Sequence, residues 1–180
     1  MFFQDVLDLT IKKLKAQTAN ILTLSNLFLG CFAILFSIND NLKLSVLLIF
    51  IAALADRFDG MTARKMNIES DLGKQLDSMS DIISFGVAPA LLLYTRVLYE
   101  FGAPGAFLTA LYIGCGALRL ARFNISENND GYFTGLPITA SGCLATLCFL
   151  AVPYWPSPIF LFIMLILSIL MISPFRLKKM

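Results

Sequence analysis

The sequence contains no histidine, and only 14% of its residues are charged. Without histidine the chain cannot form a Ser-His-Asp triad, a histidine-ligated zinc site or a phosphohistidine intermediate. The cysteines lie in apolar segments without metal-ligand spacing, and we interpret them as small buried hydrophobic residues: Cys31, Cys115, Cys143 and Cys148. Any chemistry must therefore use carboxylates, lysines, arginines, hydroxyls or thiols.

The net charge is only +2, and no basic patch with interleaved aromatic residues occurs, so we expect no nucleic-acid partner. Hydrophobic residues make up 58% of the chain, and the mean hydropathy is +0.78. These values exceed those of ordinary soluble domains and indicate a polytopic membrane protein. The length suits one domain over residues 1–180 with about six membrane spans.

Apolar segments separated by turn-forming or charged residues predict the individual spans. They lie near residues 21–38, 43–63, 75–98, 104–123, 134–152 and 157–173. The expected fold class is therefore an all-α integral membrane protein, with a six-helix bundle over residues 20–174. A polar loop over residues 64–74 is expected between the second and third spans.

The beginning of the chain predicts a different kind of helix. Apolar residues recur there at helical spacing and would share one face: Phe3, Val6, Leu7, Ile11 and Leu14. Most charged residues of this stretch lie off that face. We expect an interfacial amphipathic helix over residues 1–18 on the membrane surface, and the alternative is a plain extension of the first span.

Basic residues set the predicted orientation. Most Lys and Arg residues lie in the N-terminal segment, residues 64–74, residues 119–133 and the C-terminal tail, whereas the opposite loops offer only Lys43 and Arg96. By the positive-inside rule we expect an integral protein of the cytoplasmic membrane with both termini in the cytoplasm.

Four aspartates interrupt the apolar segments: Asp56, Asp59, Asp77 and Asp81. An aspartate in hydrocarbon is costly, and four together would repel one another unless a cation holds them. Hard divalent cations prefer such carboxylate oxygens. The i, i+3 and i, i+4 spacings put each pair on one helix face, so two facing helices would bring the carboxylates to one point near the cytoplasmic side.

The aspartates belong to a longer pattern. The spacing D-x2-D-G-x2-A-R-x8-G-x3-D-x3-D is matched in full by Asp56, Asp59, Gly60, Ala63, Arg64, Gly73, Asp77 and Asp81. By this pattern the sequence resembles the CDP-alcohol phosphatidyltransferase family. The segments GKQLDSMSDIISFGVAPA (73–90), RLARFN (119–124) and TGLP (134–137) resemble its phosphatidylserine synthase branch. The likeness covers roughly residues 20–150.

The resemblance implies an activity and its cofactors. An enzyme of this branch transfers the phosphatidyl group of CDP-diacylglycerol to L-serine and releases CMP, with two divalent metal ions, Mg²⁺ or Mn²⁺. Asp56, Asp59 and Asp77 would bind metal. Asp81 would also bind metal and act as the base that deprotonates the serine hydroxyl. Membrane lipids would surround the protein, and the family likeness implies a homodimer.

Four further residues of the motif are of types that suit nucleotide binding. Small side chains at Gly60, Ala63 and Gly73 let a ligand approach the helix backbones, and Arg64 offers a planar fork of donors to a phosphate. The predicted CDP-binding residues are Asn26, Asp56, Gly60, Ala63, Arg64, Gly73 and Asp77. For Asn26, an interhelical hydrogen bond is an alternative of equal weight.

Three residues near the end of the fourth span form the predicted serine-binding set. Arg119 and Arg122 lie one turn apart and would capture the serine carboxylate or a lipid phosphate. The alternative for both is topological anchoring. Asn124 either caps the helix end or joins the site.

Other functions stay open at this point. The substrate alcohol could instead be glycerol 3-phosphate or an inositol phosphate, but these carry a phosphate and should require more basic residues than the chain offers. Serine could also be added to an archaeal ether lipid. An ion-coupled transporter would bind cations at intramembrane carboxylates, but the second half of the chain has no matching aspartates. A non-catalytic scaffold would have no use for four such aspartates.

Overall fold

A computed structural model gives the helical architecture. It describes residues 2–66, 71–125, 132–174 and 176–178, and the side chains of residues 20–58, 72–125 and 135–174. The α-helices in these ranges are α1 (Phe2–Ile38), α2 (Leu42–Met66), α3 (Asp71–Asp81), α4 (Ala88–Arg96), α5 (Ala103–Ile125), α6 (Ile138–Leu150) and α7 (Pro158–Ile172). A π-helical segment, Ile82–Val87, joins α3 to α4 and is called the π-turn. A short 3-10 helix, Leu98–Phe101, precedes α5.

Three stretches within the described residues are long and apolar enough to cross a membrane. They are Asn20–Ile38, Leu72–Arg96 and Ala103–Ile125, and the shorter helices α6 and α7 are also apolar. Large apolar side chains such as Phe28, Phe107 and Ile169 are exposed, as contact with lipid requires. The predicted helical membrane protein is therefore confirmed, whereas the count of six spans stays a prediction.

α1 runs without a break from Phe2 to Ile38. Residues 2–18 are therefore helical, but no break separates them from the first span. Their side chains fall outside the described residues, so the position of this segment on the membrane surface stays a prediction.

The helix ends near the predicted loop of residues 64–74 differ from expectation. α2 continues to Met66 and α3 begins at Asp71, so most of the expected loop is helical. The run from Ala63 to Met66 consists mainly of good helix formers, and Asp71 places a negative charge at a helix N-terminus. The polar composition thus marks two helix ends and not a loop of that length.

The buried face of α1 carries small and polar residues. Thr23, Asn26, Gly30, Ala33 and Ser37 recur at spacings of three and four, and all are buried. Most of the large apolar residues of α1 with described side chains are exposed, among them Phe28, Phe32 and Leu35. This inverts the pattern of a soluble helix. It is the arrangement expected in lipid, where small residues let helices approach closely.

Serine hydroxyls tie α1 to its neighbours. Three of them donate to backbone carbonyls of α1: Ser45 to Ala33 (2.8 Å), Ser80 to Thr23 (3.2 Å) and Ser84 to Asn26 (3.0 Å). All three hydroxyls are buried, and a buried hydroxyl without a hydrogen bond is unfavourable. The last two bonds fix the position of α3 and the π-turn along α1.

The π-turn has a local cause in Pro89. In an α-helix the N–H of residue 89 would donate to the carbonyl of Phe85, but proline has no N–H and its ring clashes with that carbonyl. The backbone widens here, and the Ala88 N–H donates to the carbonyl of Ile83, five residues earlier. The Tyr112 hydroxyl of α5 donates to the Phe85 carbonyl at 3.2 Å.

The chain after α5 departs from the all-α expectation. Tyr132–Thr134 (β1) pairs antiparallel with Arg176–Lys178 (β2). Gly135 then adopts a φ of +77°, and Pro137 precedes the first residue of α6. Because the residue before a proline is disfavoured in the helical region, the helix expected from residue 134 begins only at Ile138.

The C-terminal end of α7 holds this connection in place. The Leu136 N–H donates to the carbonyl of Leu170 at 3.0 Å, and the Arg122 guanidinium donates to the carbonyl of Ile172 at 3.3 Å. We call these two hydrogen bonds the α7 clasp. It joins the end of α5, the entry to α6 and the last helix.

Gly30 permits the close approach of α1 to the π-turn, since a Cβ atom there would lie 2.8 Å from the Cα atom of Ser84. Gly30→Ala should lower the free energy of unfolding by about 1–3 kcal/mol, because overpacking forces the two backbones apart. Gly114 on α5 is the matched control, with nothing within 4 Å of such a Cβ. Thermal unfolding in detergent micelles measures both variants, and equal unfolding temperatures would contradict this packing.

Candidate active site

α2 and α3 bring three of the predicted aspartates together. One carboxylate oxygen from each of Asp56, Asp77 and Asp81 lies within 4.8 Å of the others. Asp56 comes from α2, and the other two lie one turn apart at the end of α3. We call these three residues the carboxylate cluster.

Burial increases across the carboxylate cluster toward Asp81. Asp77 is exposed, Asp56 is half-buried, and Asp81 is only 8% exposed. The Oδ1 atom of Asp81 has no hydrogen-bond partner among the described residues. Carboxylates this close repel one another, and a buried oxygen without a donor is unfavourable. A divalent cation would relieve both conditions, so the cluster fits a metal site.

Four other predicted residues have side chains outside the described part of the chain: Asp59, Gly60, Ala63 and Arg64. Their backbone belongs to α2, which carries Asp59 one turn beyond Asp56. Gly73 is described and half-buried, in the first turn of α3 and one turn before Asp77. The metal and nucleotide roles of these residues stay predictions.

Asn26 lies on α1, opposite the π-turn. Its backbone carbonyl accepts the hydrogen bond from Ser84, so the interhelical bond at this position uses the backbone. The side chain is buried, and its Oδ1 atom has no partner within the ranges that the structure describes. That oxygen can therefore accept a hydrogen bond from a ligand, and the predicted nucleotide contact stays a prediction.

Arg119 and Arg122, predicted as a pair, occupy different environments. Arg119 is 9% exposed and interacts electrostatically with Asp81, and its Nε atom has no hydrogen-bond partner among the residues described. Arg122 is exposed and donates to the last turn of α7, where a cation complements the helix dipole. Arg119 is thus the arginine within electrostatic range of the carboxylate cluster, and Arg122 joins α5 to α7.

Asn124 links α5 to α3, the helix that carries Asp77 and Asp81. Its side-chain nitrogen donates to Oγ of Ser78 at 2.9 Å. Ser78 follows Asp77 directly, so this bond lies at the edge of the cluster. The predicted role of Asn124 in serine binding stays a prediction.

Sequence reasoning missed several contacts of the site. Ser80 and Ser84 share a helical face with Asp77 and Asp81, and that spacing could have revealed the polar contact with α1. Cys143 on α6 lies within electrostatic range of Asp56. No local pattern indicates this approach, because α6 is apolar. Cys31 is exposed rather than buried as we expected.

Asp56→Asn and Asp77→Asn should each weaken Mn²⁺ binding, because each removes a charged ligand from the carboxylate cluster. We expect a loss of at least the roughly 10- to 100-fold that removal of an outer-shell partner causes. Electron paramagnetic resonance of Mn²⁺ titrated into the purified protein measures the affinity. Asp40→Asn is the control, since Asp40 is exposed in a turn with a φ of 59° that asparagine also tolerates. Equal affinities in all variants would contradict the metal site.

Comparison of the sequence with known proteins identifies a family. The family model described as CDP-alcohol phosphatidyltransferase matches residues 16–174, which includes the carboxylate cluster and Arg119.

Several curated proteins are similar over most of the chain. The CDP-diacylglycerol--serine O-phosphatidyltransferase of Helicobacter pylori is 38% identical over 165 residues, covering 87% of this chain and 70% of that protein. The Bacillus subtilis protein of the same name is 42% identical over 129 residues, covering 71% and 73%. The Archaetidylserine synthase of Methanothermobacter thermautotrophicus is 38% identical over 157 residues, covering 86% and 66%. Because the family model matches most of this chain, from residue 16 to residue 174, the chain belongs to the CDP-alcohol phosphatidyltransferase family.

Proposed function

We propose that the chain transfers the phosphatidyl group of CDP-diacylglycerol to the hydroxyl of L-serine, giving phosphatidylserine and CMP. The main observation behind this proposal is the carboxylate cluster. Family membership gives the class of reaction, and the cluster gives a group of side chains that could hold the metal ions for it. The names of the similar proteins support serine as the substrate alcohol. In the reaction the serine oxygen bonds to phosphorus, and the bond from phosphorus to the CMP oxygen breaks.

The metal ligands would be Asp56, Asp77 and Asp81, with Asp59 added from its place in the motif. We propose two divalent ions, Mg²⁺ or Mn²⁺. When bound, such ions neutralise charge on the phosphoryl oxygens.

The CDP moiety would lie against α2 and the start of α3. Gly60, Ala63 and Gly73 allow its close approach, and Arg64 would donate to a phosphate oxygen. Asn26 supports this arrangement from α1, since its buried Oδ1 atom can accept a hydrogen bond from the nucleotide.

Asp81 is the proposed base. Its Oδ1 atom is buried and lacks a donor within the described part of the chain, so a serine hydroxyl can donate to it. A carboxylate is a weak base for an alcohol, and the proton would therefore pass to Asp81 as the bond to phosphorus forms.

Arg119 is the proposed ligand of the serine carboxylate. It lies within electrostatic range of Asp81, and its Nε atom has no partner among the described residues, so it can hold one end of serine while the hydroxyl faces the base. Arg122 supports the site less directly, because its guanidinium is bound to the end of α7. Asn124 would adjoin serine from the Ser78 side.

For the protein as a whole we propose a six-span homodimer in the cytoplasmic membrane. The N-terminal helix over residues 1–18 would lie on the membrane surface. Both termini and the active site would face the cytoplasm, which the distribution of Lys and Arg supports. A nucleotide substrate and serine are then available on the same side.

The lipid chains are a separate question. One similar protein is named Archaetidylserine synthase, so a CDP-activated ether lipid is a second candidate substrate. The carboxylate cluster and Arg119 would act on the headgroup in the same way with either lipid.

Release of CMP from CDP-diacylglycerol, with a panel of alcohols, tests the function. We expect release with L-serine and none with glycerol 3-phosphate or an inositol phosphate. Excess chelator should abolish the release, and Mg²⁺ or Mn²⁺ should restore it. Release with glycerol 3-phosphate alone would overturn serine as the substrate, and full activity in chelator would overturn the metal requirement.

Arg119→Ala should raise the KM for serine roughly 10- to 100-fold, because a hydrogen bond between two charged groups is lost. The KM for CDP-diacylglycerol should change much less. Arg119→Lys should recover only part of the loss, since the planar fork is absent. Steady-state kinetics with each substrate varied in turn measures both constants.

Arg96→Ala is the matched control, because Arg96 is exposed at the far end of α4. It should change neither KM. If Arg122→Ala raises the KM for serine and Arg119→Ala does not, Arg122 binds the carboxylate and our assignment is wrong.

A further inference from the structure

The π-turn begins at the residue after Asp81 and controls the direction in which α3 faces. One residue more or less in a helical turn rotates the following helix by about 100°. If Ile82–Val87 were regular α-helix while α4 kept its packing, α3 would rotate about its axis by that amount. Asp77 and Asp81 would then turn away from Asp56. The carboxylate cluster therefore depends on the π-turn.

Three helices hold the π-turn. From α1, the Asn26 carbonyl accepts the hydrogen bond from Ser84. From α6, Gly142 lies against Phe85 so closely that a Cβ atom would be 2.6 Å from the Phe85 oxygen and 2.8 Å from its Cα atom. From α5, Tyr112 donates to the same Phe85 oxygen. Because Pro89 has no N–H, the Phe85 carbonyl lacks its α-helical donor. The Tyr112 hydroxyl of α5 donates to it instead.

The hydroxyl of Tyr112 is the group through which α5 forms a hydrogen bond with the π-turn. Tyr112 is fully buried, and phenylalanine would fill almost the same space. Tyr112 and Arg119 are seven residues apart and share one face of α5. The helix face that carries Arg119, which interacts electrostatically with Asp81, therefore also places the Tyr112 hydroxyl on the π-turn.

We propose that Tyr112 is a positioning residue for the carboxylate cluster. Its hydroxyl holds the Phe85 carbonyl in the π-turn, and this keeps Asp77 and Asp81 directed at Asp56. The kinetic consequence rests on the proposed function, whereas the consequence for metal binding rests only on the carboxylate cluster as a metal site and not on the reaction.

Tyr112→Phe tests the proposal at nearly constant volume. Loss of the donor leaves the buried Phe85 carbonyl short of a hydrogen bond, and the π-turn then holds Asp77 and Asp81 less well. We expect the Mn²⁺ affinity to weaken about tenfold. The kcat for CMP release should fall by a similar factor, with the KM for serine little changed. Tyr154→Phe is the matched control, since Tyr154 is 85% exposed, and it should behave as the wild type.

Gly142→Ala approaches the same carbonyl from α6 and provides a second test. It should weaken Mn²⁺ affinity in the same direction, whereas Gly114→Ala should not, because a methyl group there meets nothing. A structural role alone would lower the unfolding temperature of the metal-free variants and leave Mn²⁺ affinity unchanged.

Wild-type Mn²⁺ affinity in folded Tyr112→Phe would overturn the proposal, whatever the change in unfolding temperature. Failure of the proposed function gives a different pattern. In that case the wild-type protein releases no CMP with serine, yet Tyr112→Phe still weakens Mn²⁺ binding.

Discussion

Mutual repulsion of three carboxylates within 4.8 Å, in a bundle of apolar helices, is the interaction on which the rest of the structure depends. In water such groups would move apart. Here Asp56 belongs to one helix and Asp77 and Asp81 to another, so the repulsion acts to separate α2 from α3, which both pack against α1. The bundle must supply enough rigidity elsewhere to keep the carboxylates in reach of a common cation.

That rigidity comes from close backbone approach and buried hydroxyls. Lipid removes most of the hydrophobic driving force between helices, so packing and interhelical hydrogen bonds must supply the stability. Gly30 and Gly142 let α1 and α6 touch the π-turn, while Ser80 and Ser84 bond to carbonyls of α1. These contacts surround the segment immediately after Asp81, where a change of helical register would have the largest effect on the carboxylates.

Sequence patterns predicted the parts of the site that depend on local spacing. The i, i+4 spacing of Asp77 and Asp81 is a property of a single helix, and the apolar segments correspond to α2, α5 and α7 with small shifts at their ends. The family resemblance that the aspartates carry was confirmed by the family match.

Features that depend on distant contacts were not predictable in the same way. The spacing of Arg119 and Arg122 is the same in any helix. Only the packing of other segments against α5, including the π-turn and α7, decides that Arg119 is buried and Arg122 is exposed. Pro89 signals a disturbance in its helix, but the donor that completes the π-turn is Tyr112, which lies 27 residues from Phe85 in sequence. The β1–β2 pair joins segments that adjoin different helices, and neither segment indicates its partner.

The α7 clasp affects the order in which the parts of the site can form during translation. Leu136 and Arg122 both find their partners at residues 170–172, so these hydrogen bonds can form only after α7 has been synthesised. The aspartates of α2 and α3 leave the ribosome much earlier. The helices that hold the π-turn, α1, α5 and α6, also precede α7 in the chain. A nascent chain can therefore bring its carboxylates together before the end of α5 is fixed. The half of the site that contains Arg119 is completed last, when α7 packs against α5.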